Sequence, residues 1–381
     1  MRIEPSEPRL LLGMGSGTSA DAVDLALVRV TGAAGERRVE SLGGTEAPLA
    51  RELREAVRRA PRWSLAEVAA MHAALGRAFG EAARGFLDER GIAPAALAAV
   101  GSHGQTVHHH DGDPAGGTLQ LGDPAWIAAL VGAPVVADFR WNDLAAGGQG
   151  APISPFADQV LHRPAHGQRV ILNLGGIANL TLLDATAPPR AWDSGPANGP
   201  LDALMRLEAG EECDRDGRRA SAGRVRQELL AVFREDPWFA RPLPRSTGLE
   251  RFGEPLAGRL RAAAPDASLE DLLASACAGV AWSVADSLQR AGWRGGEVRL
   301  CGGGARNPVL VKALRNQLEP AGELLPYAGL GWDPDLREAV AFALLADAFL
   351  CGEPATWAGT TGAVRPALLG RWIPAPVLDP S

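Results

Sequence analysis

The chain has 381 residues, 46% hydrophobic and 22% charged, which is enough for two domains with buried cores. A net charge of −7 argues against broad nucleic-acid or acidic-membrane binding, and four scattered cysteines without a C-x-x-C motif support neither a disulfide framework nor a zinc site. The N-terminus lacks the basic start and apolar stretch of a secretion signal, and no apolar run nears the ~20 residues that span a bilayer, so a cytoplasmic location without a membrane partner is expected.

Leu10 to Val30 reads as two short apolar runs around Gly13-Met14-Gly15-Ser16-Gly17-Thr18-Ser19-Ala20-Asp21-Ala22-Val23-Asp24. This pattern predicts a β-hairpin with a tip that lies close against a ligand, the glycines at 13, 15 and 17 clearing the approach. Ser16, Thr18 and Ser19 offer hydroxyl donors suited to phosphate oxygens, and Asp21 and Asp24 offer carboxylates to a hydrated Mg²⁺. Ordinary turns use the same residues, so the loop alone leaves both readings open. One lysine, Lys312, stands against many arginines, and no G-x-x-x-x-G-K-[ST] exists, which excludes a P-loop NTPase. Lys312 lies amid apolar residues of a predicted helix, a poor site for Schiff-base chemistry.

Helical periodicity follows over Leu49–Arg90, then 98–104, which carries His103, reads as a strand ending in a tight loop. A short strand from Thr118, a helix from Pro124 to Val131, a buried strand over 133–140 and a glycine-rich loop from Asn142 to Pro155 complete the first half. His108-His109-His110 with Asp111 and Asp113 reads as a solvated loop more readily than as a metal site, being consecutive. From Arg169 the opening pattern repeats: Val170–Leu174, a Gly175-Gly176 turn, and Ile177–Leu183. The echo suggests a duplicated architecture with one hairpin loop per half facing a shared cleft. A helix over 272–291, a strand over 297–301, Gly302-Gly303-Gly304 and a helix from Pro308 to Leu318 follow, an α/β alternation with glycines before a helix N-terminus.

Polar groups cluster at the ends of buried strands in G-S-H-G-Q-T (101–106), A-D-F-R (137–140), G-G-Q-G-A-P (147–152), D-S-G-P-A-N (193–198), R-S-T-G-L-E-R-F (245–252), Gly302–Gly304 and E-A-V-A-F-A (338–343). This ordered set resembles the anhydro-N-acetylmuramic acid kinases of bacterial peptidoglycan recycling, within the sugar kinase, heat-shock ATPase and actin superfamily, from about Leu10 to Gly370. The resemblance implies two RNase-H-like (actin-like ATPase) domains with a nucleotide cleft between them. The expected boundaries are 1–165, open to completion by C-terminal residues, and 166–381. It further implies ATP and Mg²⁺, a homodimer, and hydrolytic opening of the 1,6-anhydro bridge coupled to phosphorylation of O6.

By that resemblance Gly17, Thr18, Ser19, Ala20, Asp21, Ala22, Val23 and Asp24 form the first phosphate loop, and Asn173, Gly175 and Gly176 the second. Gly302, Gly303, Gly304 and Asn307 face the nucleoside. Asp193 is the expected base for water, and Glu338 a second carboxylate that orients it. Arg140 grips the sugar's carboxylate, with His103 and Gln105 as further hydrogen-bonding groups. Mg²⁺ is expected on phosphates, waters and Asp21 or Asp24. The sequence departs from the family pattern at Gly15 (usually Met), Ala22 (Gly), Ser194 (Thr) and Ala197 (Gly), and Ala22 would restrict a turn that needs positive φ. Another anhydrosugar such as levoglucosan is an alternative acceptor, and a nucleotide sensor without turnover is the non-enzymatic alternative.

Overall fold

The computed structural model describes residues 4–17, 20–109 and 114–375. Its strands are β1 (Arg9–Ser16), β2 (Ala22–Thr31), β3 (Arg38–Pro48), β4 (Leu97–His109), β5 (Thr118–Leu121), β6 (Val135–Ala137), β7 (Gln168–Leu174), β8 (Ile177–Asp184), β9 (Arg190–Pro196), β10 (Gly296–Cys301), β11 (Gly322–Pro326) and β12 (Arg371–Ile373). They form two separate sheets, and the chain divides accordingly into a unit of 1–162 plus 335–381 and a unit of 163–334. Residues 335–381 thus belong with the first unit, the completion by C-terminal residues that the sequence reading leaves open. The cause is the apolar helix Arg337–Cys351, which packs on β1, β2 and β4.

In the first unit the order is β12-β6-β4-β1-β2-β3, with β5 paired to β4. β1, β2 and β3 form an antiparallel meander, and β4 and β6 add in parallel on the other side of β1. In the second unit β9-β8-β7-β10-β11 repeats this plan, a meander followed by two parallel strands. Each is the RNase-H-like arrangement, and the two predicted hairpins are its first two strands.

Alternation fixes which face each strand buries. Leu12, Met14 and Val100 join Leu75, Phe79 and Phe86 of the helix Leu65–Glu89 in one core, and a reciprocal Ser64–Glu67 capping box starts that helix. On the opposite face Gly13 and Gly101 make room for the Arg337–Cys351 helix. A Cβ on Gly13 would lie 1.8 Å from the Ala339 carbonyl oxygen, and one on Gly101 2.1 Å from that of Phe342. The second unit's core gathers Val170, Leu172 and Leu180 with Trp192, Phe233, Phe252 and the helix Leu269–Arg290.

Two loops differ from expectation. The strand expected over 133–140 stops at Ala137 because Asp138 adopts φ 58° and turns the chain. β4 instead continues past Gly104 to His109, since β5 pairs with its far end.

Candidate active site

In the first unit the turn between β1 and β2 holds Gly17 and Ala20, while Thr18 and Ser19 lie outside the described residues. The Ala20 N–H donates to the Gly17 carbonyl at 3.0 Å, and Ala20 itself takes the left-handed conformation at φ 55°. Ala22 and Val23 are already in β2, Ala22 opposite Pro48, so the positive φ feared at Ala22 falls on Ala20. Gly13 and Gly15 also differ from their expected role. They lie in β1, not at the tip, and a Cβ on Gly15 would meet the Phe342 ring at 2.6 Å. They admit the C-terminal helix instead of a ligand.

Asp21 is exposed. Asp24 is partly buried opposite Gly15 and Glu46, and its carboxyl is pushed up to about 7, first by burial and then by Glu46, Glu338 and Asp335. Glu338 is exposed in the first turn of its helix. Among the described residues no group of three or more His, Cys, Asp or Glu forms a ready-made site, so Mg²⁺ would need phosphates and waters for most of its shell. His108 and His109 instead contact the Gly116 carbonyl and the Thr118 hydroxyl, and His110, Asp111 and Asp113 lie outside the described residues.

Beside this turn Gln105 sits opposite Ser16 and donates its amide to the Gly17 carbonyl at 3.0 Å. Its amide oxygen, the Ser16 hydroxyl and the Ser102 hydroxyl are buried without partners among the described residues. His103 and Arg140 form a connected pair. The His103 Nδ1 lies 3.1 Å from the Gly104 carbonyl, and Arg140 Nε donates to His103 Nε2 at 3.0 Å. Only the neutral tautomer protonated on Nδ1 satisfies both contacts, and burial together with Arg140 holds the imidazole well below its ordinary pKa. Arg140 Nη1 donates to the Gly150 carbonyl at 2.9 Å. Burial draws the guanidinium down to about 10 against the pull of Glu338 and Asp143, which leaves it a cation at neutral pH.

Two partners here escaped sequence reasoning. Asp143 accepts from the Gly150 N–H and the Thr361 hydroxyl, each at 2.7 Å, and so braces the loop on which Arg140 rests. Phe342 stacks on His103 with ring centroids 4.5 Å apart, one helical turn after Glu338. The stretch from Asn142 was read as loop, although Trp141–Ala145 is a short helix that carries Asp143; nothing local in the sequence marks Asp143 or Thr361.

In the second unit Asn173, next to last in β7, lies opposite Asn179, and the Gly175 and Gly176 carbonyls accept from the N–H groups of Ala197, Asn198 and Gly199. The turn is thereby tied to the start of the helix Asn198–Ala209. Asp193 is partly exposed in β9 beside Asn179. Its Oδ2 accepts from the Thr247 N–H at 2.8 Å, and its own N–H donates to the Arg245 carbonyl at 2.9 Å. Burial pushes this carboxyl up to about 7, opposed by the Thr247 bond and Arg245 and assisted by Glu250. Arg245 is locked in place by the Phe239 carbonyl at 2.6 Å and by stacking over Trp238 at 4.2 Å.

The Gly302–Gly304 loop approaches the same turn. Gly302 has φ 78°, and a Cβ there would be 2.5 Å from the Asn173 side-chain oxygen. Asn307 is buried and spends its side-chain oxygen on the N–H groups of Val309 and Leu310, capping the helix Pro308–Leu318. Asn before Pro is an N-cap signature that the sequence already displayed.

A duplicated RNase-H-like sheet with a glycine turn after the first strand of each copy defines an actin-like ATPase fold of the sugar-kinase class. Among the described residues no helix is long and apolar enough to cross a membrane. A family model described as anhydro-N-acetylmuramic acid kinase matches residues 9–375. The chain belongs to the anhydro-N-acetylmuramic acid kinase family. A relative of that name in Gloeobacter violaceus is 40% identical over 383 residues, covering 97% of this chain and all of its own. Another in Xanthomonas campestris pv. campestris is 42% identical over 377 residues, covering 96% and 97%. Among solved structures, a ROK family glucokinase from Streptomyces griseus, in complex with glucose and AMPPNP, aligns with a TM-score of 0.39 at 13% identity, covering 88% of this chain and 98% of its own.

Proposed function

We infer that the chain is an ATP-dependent anhydro-N-acetylmuramic acid kinase acting in the cytoplasm. The observation that carries this reading is the near-full-length family match, joined to a carboxylate in the family's catalytic motif with a raised proton affinity. In the reaction, water adds to C1 of 1,6-anhydro-N-acetylmuramic acid, the C1–O6 bond breaks, and O6 takes the γ-phosphoryl group of ATP. The products are N-acetylmuramic acid 6-phosphate and ADP.

Asp193 accepts the proton of the attacking water. A carboxyl with a pKa near 7 is a far stronger base than an ordinary aspartate while remaining substantially ionised at neutral pH. Glu338 takes the orienting role that the family resemblance implies for the second carboxylate. Arg140 grips the lactyl carboxylate: its ε nitrogen and one terminal nitrogen are already held, so the guanidinium is fixed before substrate arrives. His103 fixes Arg140, and the amide oxygen of Gln105, which has no partner among the described residues, suits a donor on the substrate. Gly17, Asp21 and Ala22 to Asp24 take the role of the first phosphate loop, Asn173, Gly175 and Gly176 that of the second, and Gly302–Gly304 that of the nucleoside-side loop. Mg²⁺ held through Asp21 or Asp24 supplies neutralisation of phosphate charge. A homodimer completes the reading.

The test is direct. Purified protein with ATP, Mg²⁺ and the anhydrosugar in H₂¹⁸O should yield a 6-phosphate labelled at the anomeric carbon and unlabelled at phosphorus. No product from folded protein refutes the reading, and equal use of levoglucosan shifts it to a general anhydrosugar kinase.

A further inference from the structure

Asp236 is a buried carboxylate that the proposed reaction does not use. Its side chain is 1% exposed, yet it accepts from three separate segments of the second unit. The Trp238 N–H donates to its Oδ1 at 2.9 Å and starts the turn Pro237–Ala240. Arg251, in the short helix Leu249–Phe252, donates to the same oxygen, and Arg259, in the helix Glu254–Ala263, donates to Oδ2 at 2.7 Å. Two of these segments bracket the stretch 245–248. On one side the turn holds Arg245 through the Phe239 carbonyl and the Trp238 ring, and the Arg241 carbonyl adds a bond at 3.3 Å. On the other side the Phe252 ring packs edge-on against Trp238 at 5.0 Å, so the helix that carries Arg251 closes back onto the turn.

The stretch held in this way is the one that touches Asp193. The Thr247 N–H donates to Asp193 Oδ2, and the Arg245 carbonyl accepts from the Asp193 N–H. A hydrogen bond to an ionised carboxylate favours that form, so the aim of the Thr247 N–H sets how readily Asp193 takes up a proton. Residues 245–248 have no regular secondary structure of their own, and Thr247 lies between two anchored side chains, Arg245 and Arg251. We propose that Asp236 is a positioning residue for the base: it anchors both ends of 245–251 and thereby holds the Thr247 N–H on the Asp193 carboxylate. The inference rests on the kinase reading only in taking Asp193 as the base. The charged groups that face Asp193 are Arg245 and Glu250, and Arg245 in turn meets Arg241 and, from the helix Leu269–Arg290, Asp286 and Arg290. Asp236 itself faces Arg251 and Arg259.

Asp236→Asn and Arg251→Gln test it, with Arg259→Gln as a control that removes an ion pair from the same carboxylate without touching 245–251. The first readout is the acidic limb of kcat/KM. Loss of the Thr247 bond disfavours the ionised base, so Asp236→Asn and Arg251→Gln should move the limb to higher pH by about one pH unit. They should lower kcat/KM at pH 7 about fivefold, while Arg259→Gln leaves the limb in place. The second readout needs no turnover. The stability gained by Asp193→Asn, measured by denaturant titration, levels off as pH passes the folded pKa of Asp193, and with Arg251→Gln this plateau should be reached about one pH unit later. Melting curves establish which variants fold, and Arg251→Gln decides if Asp236→Asn does not. An unmoved limb or an unmoved plateau in folded Arg251→Gln overturns the proposal. So does an equal shift in Arg259→Gln, which would mark a general loosening. Absence of turnover in the unaltered protein refutes the kinase reading, and the plateau still decides whether Asp236 holds Asp193.

Discussion

Asp193, the base of the proposed reaction, has a protonation equilibrium that favours neutrality more than an exposed aspartate would. Its raised pKa sets the acidic limb of the pH profile. Because the ionised form is the active base, kcat/KM should fall about tenfold per pH unit below about 7, measured at saturating ATP. Asp193→Asn should lower kcat by roughly 10²–10⁴ with ADP binding retained. The same shift carries a stability consequence of definite sign. A carboxyl with a folded pKa above its unfolded one stabilises fully below the unfolded value, and that contribution is lost as pH rises through the folded value near 7. Asp193→Asn should therefore melt higher than the unaltered protein at pH 8, by on the order of 2 kcal/mol, and nearly equal to it at pH 4; equal melting curves at both values would contradict the burial argument. For Arg140, replacement by Ala should raise KM for the muramic substrate at least about tenfold and leave levoglucosan, which has no carboxylate, nearly unaffected.

At the scale of elements, the opening hairpin and its echo were legible because apolar runs flank glycine turns in both. The caps at Asp123-Pro124 and Asn307-Pro308 likewise announced their helices. What the glycines in those runs do was not legible. Gly13 and Gly15 sit beside a loop rich in phosphate-type residues, yet they serve a helix more than three hundred residues further along the chain. No local pattern encodes that approach. β3 and β9 went unread because Arg38–Pro48 is mostly solvent-facing and Arg190–Pro196 carries a Gly-Pro end that looks like a turn. The motif singles out Asp193 in the sequence; its environment depends on Arg245 and Thr247, which only the folded chain brings near. The glycine assignment has its own test. Gly101→Ala would set a methyl against the Phe342 backbone, and since backbone on both sides cannot yield, unfolding experiments should show a loss of about 3 kcal/mol. Gly91→Ala, where the added Cβ meets nothing within 4 Å, should lose less, limited to the strain of its φ of 62°.

At the scale of the molecule, the second unit is inserted into the first between residues 162 and 335. It is continuous and owns its core, so a fragment of 163–334 should unfold cooperatively when produced alone. A fragment of 1–162 should not, because it lacks the helix that covers one face of its sheet; a cooperative melt from 1–162 would disprove that dependence. The return of the chain is pinned by Asp347, fully buried between Arg9 at 2.7 Å and Arg37 at 2.8 Å. Asp347→Ala would strand two guanidinium groups away from water and should cost about 3–5 kcal/mol by denaturant titration. Order of synthesis follows from the same return. The trench over Gly13 and Gly101 leaves the ribosome early and stays uncovered until Arg337–Cys351 has been translated, while the inserted unit is already free to fold. The nascent protein therefore carries an apolar groove through nearly two-thirds of its elongation, at a rate of about 5–20 residues per second. Its yield in cells should depend on chaperones that occupy such grooves more than its final stability would suggest.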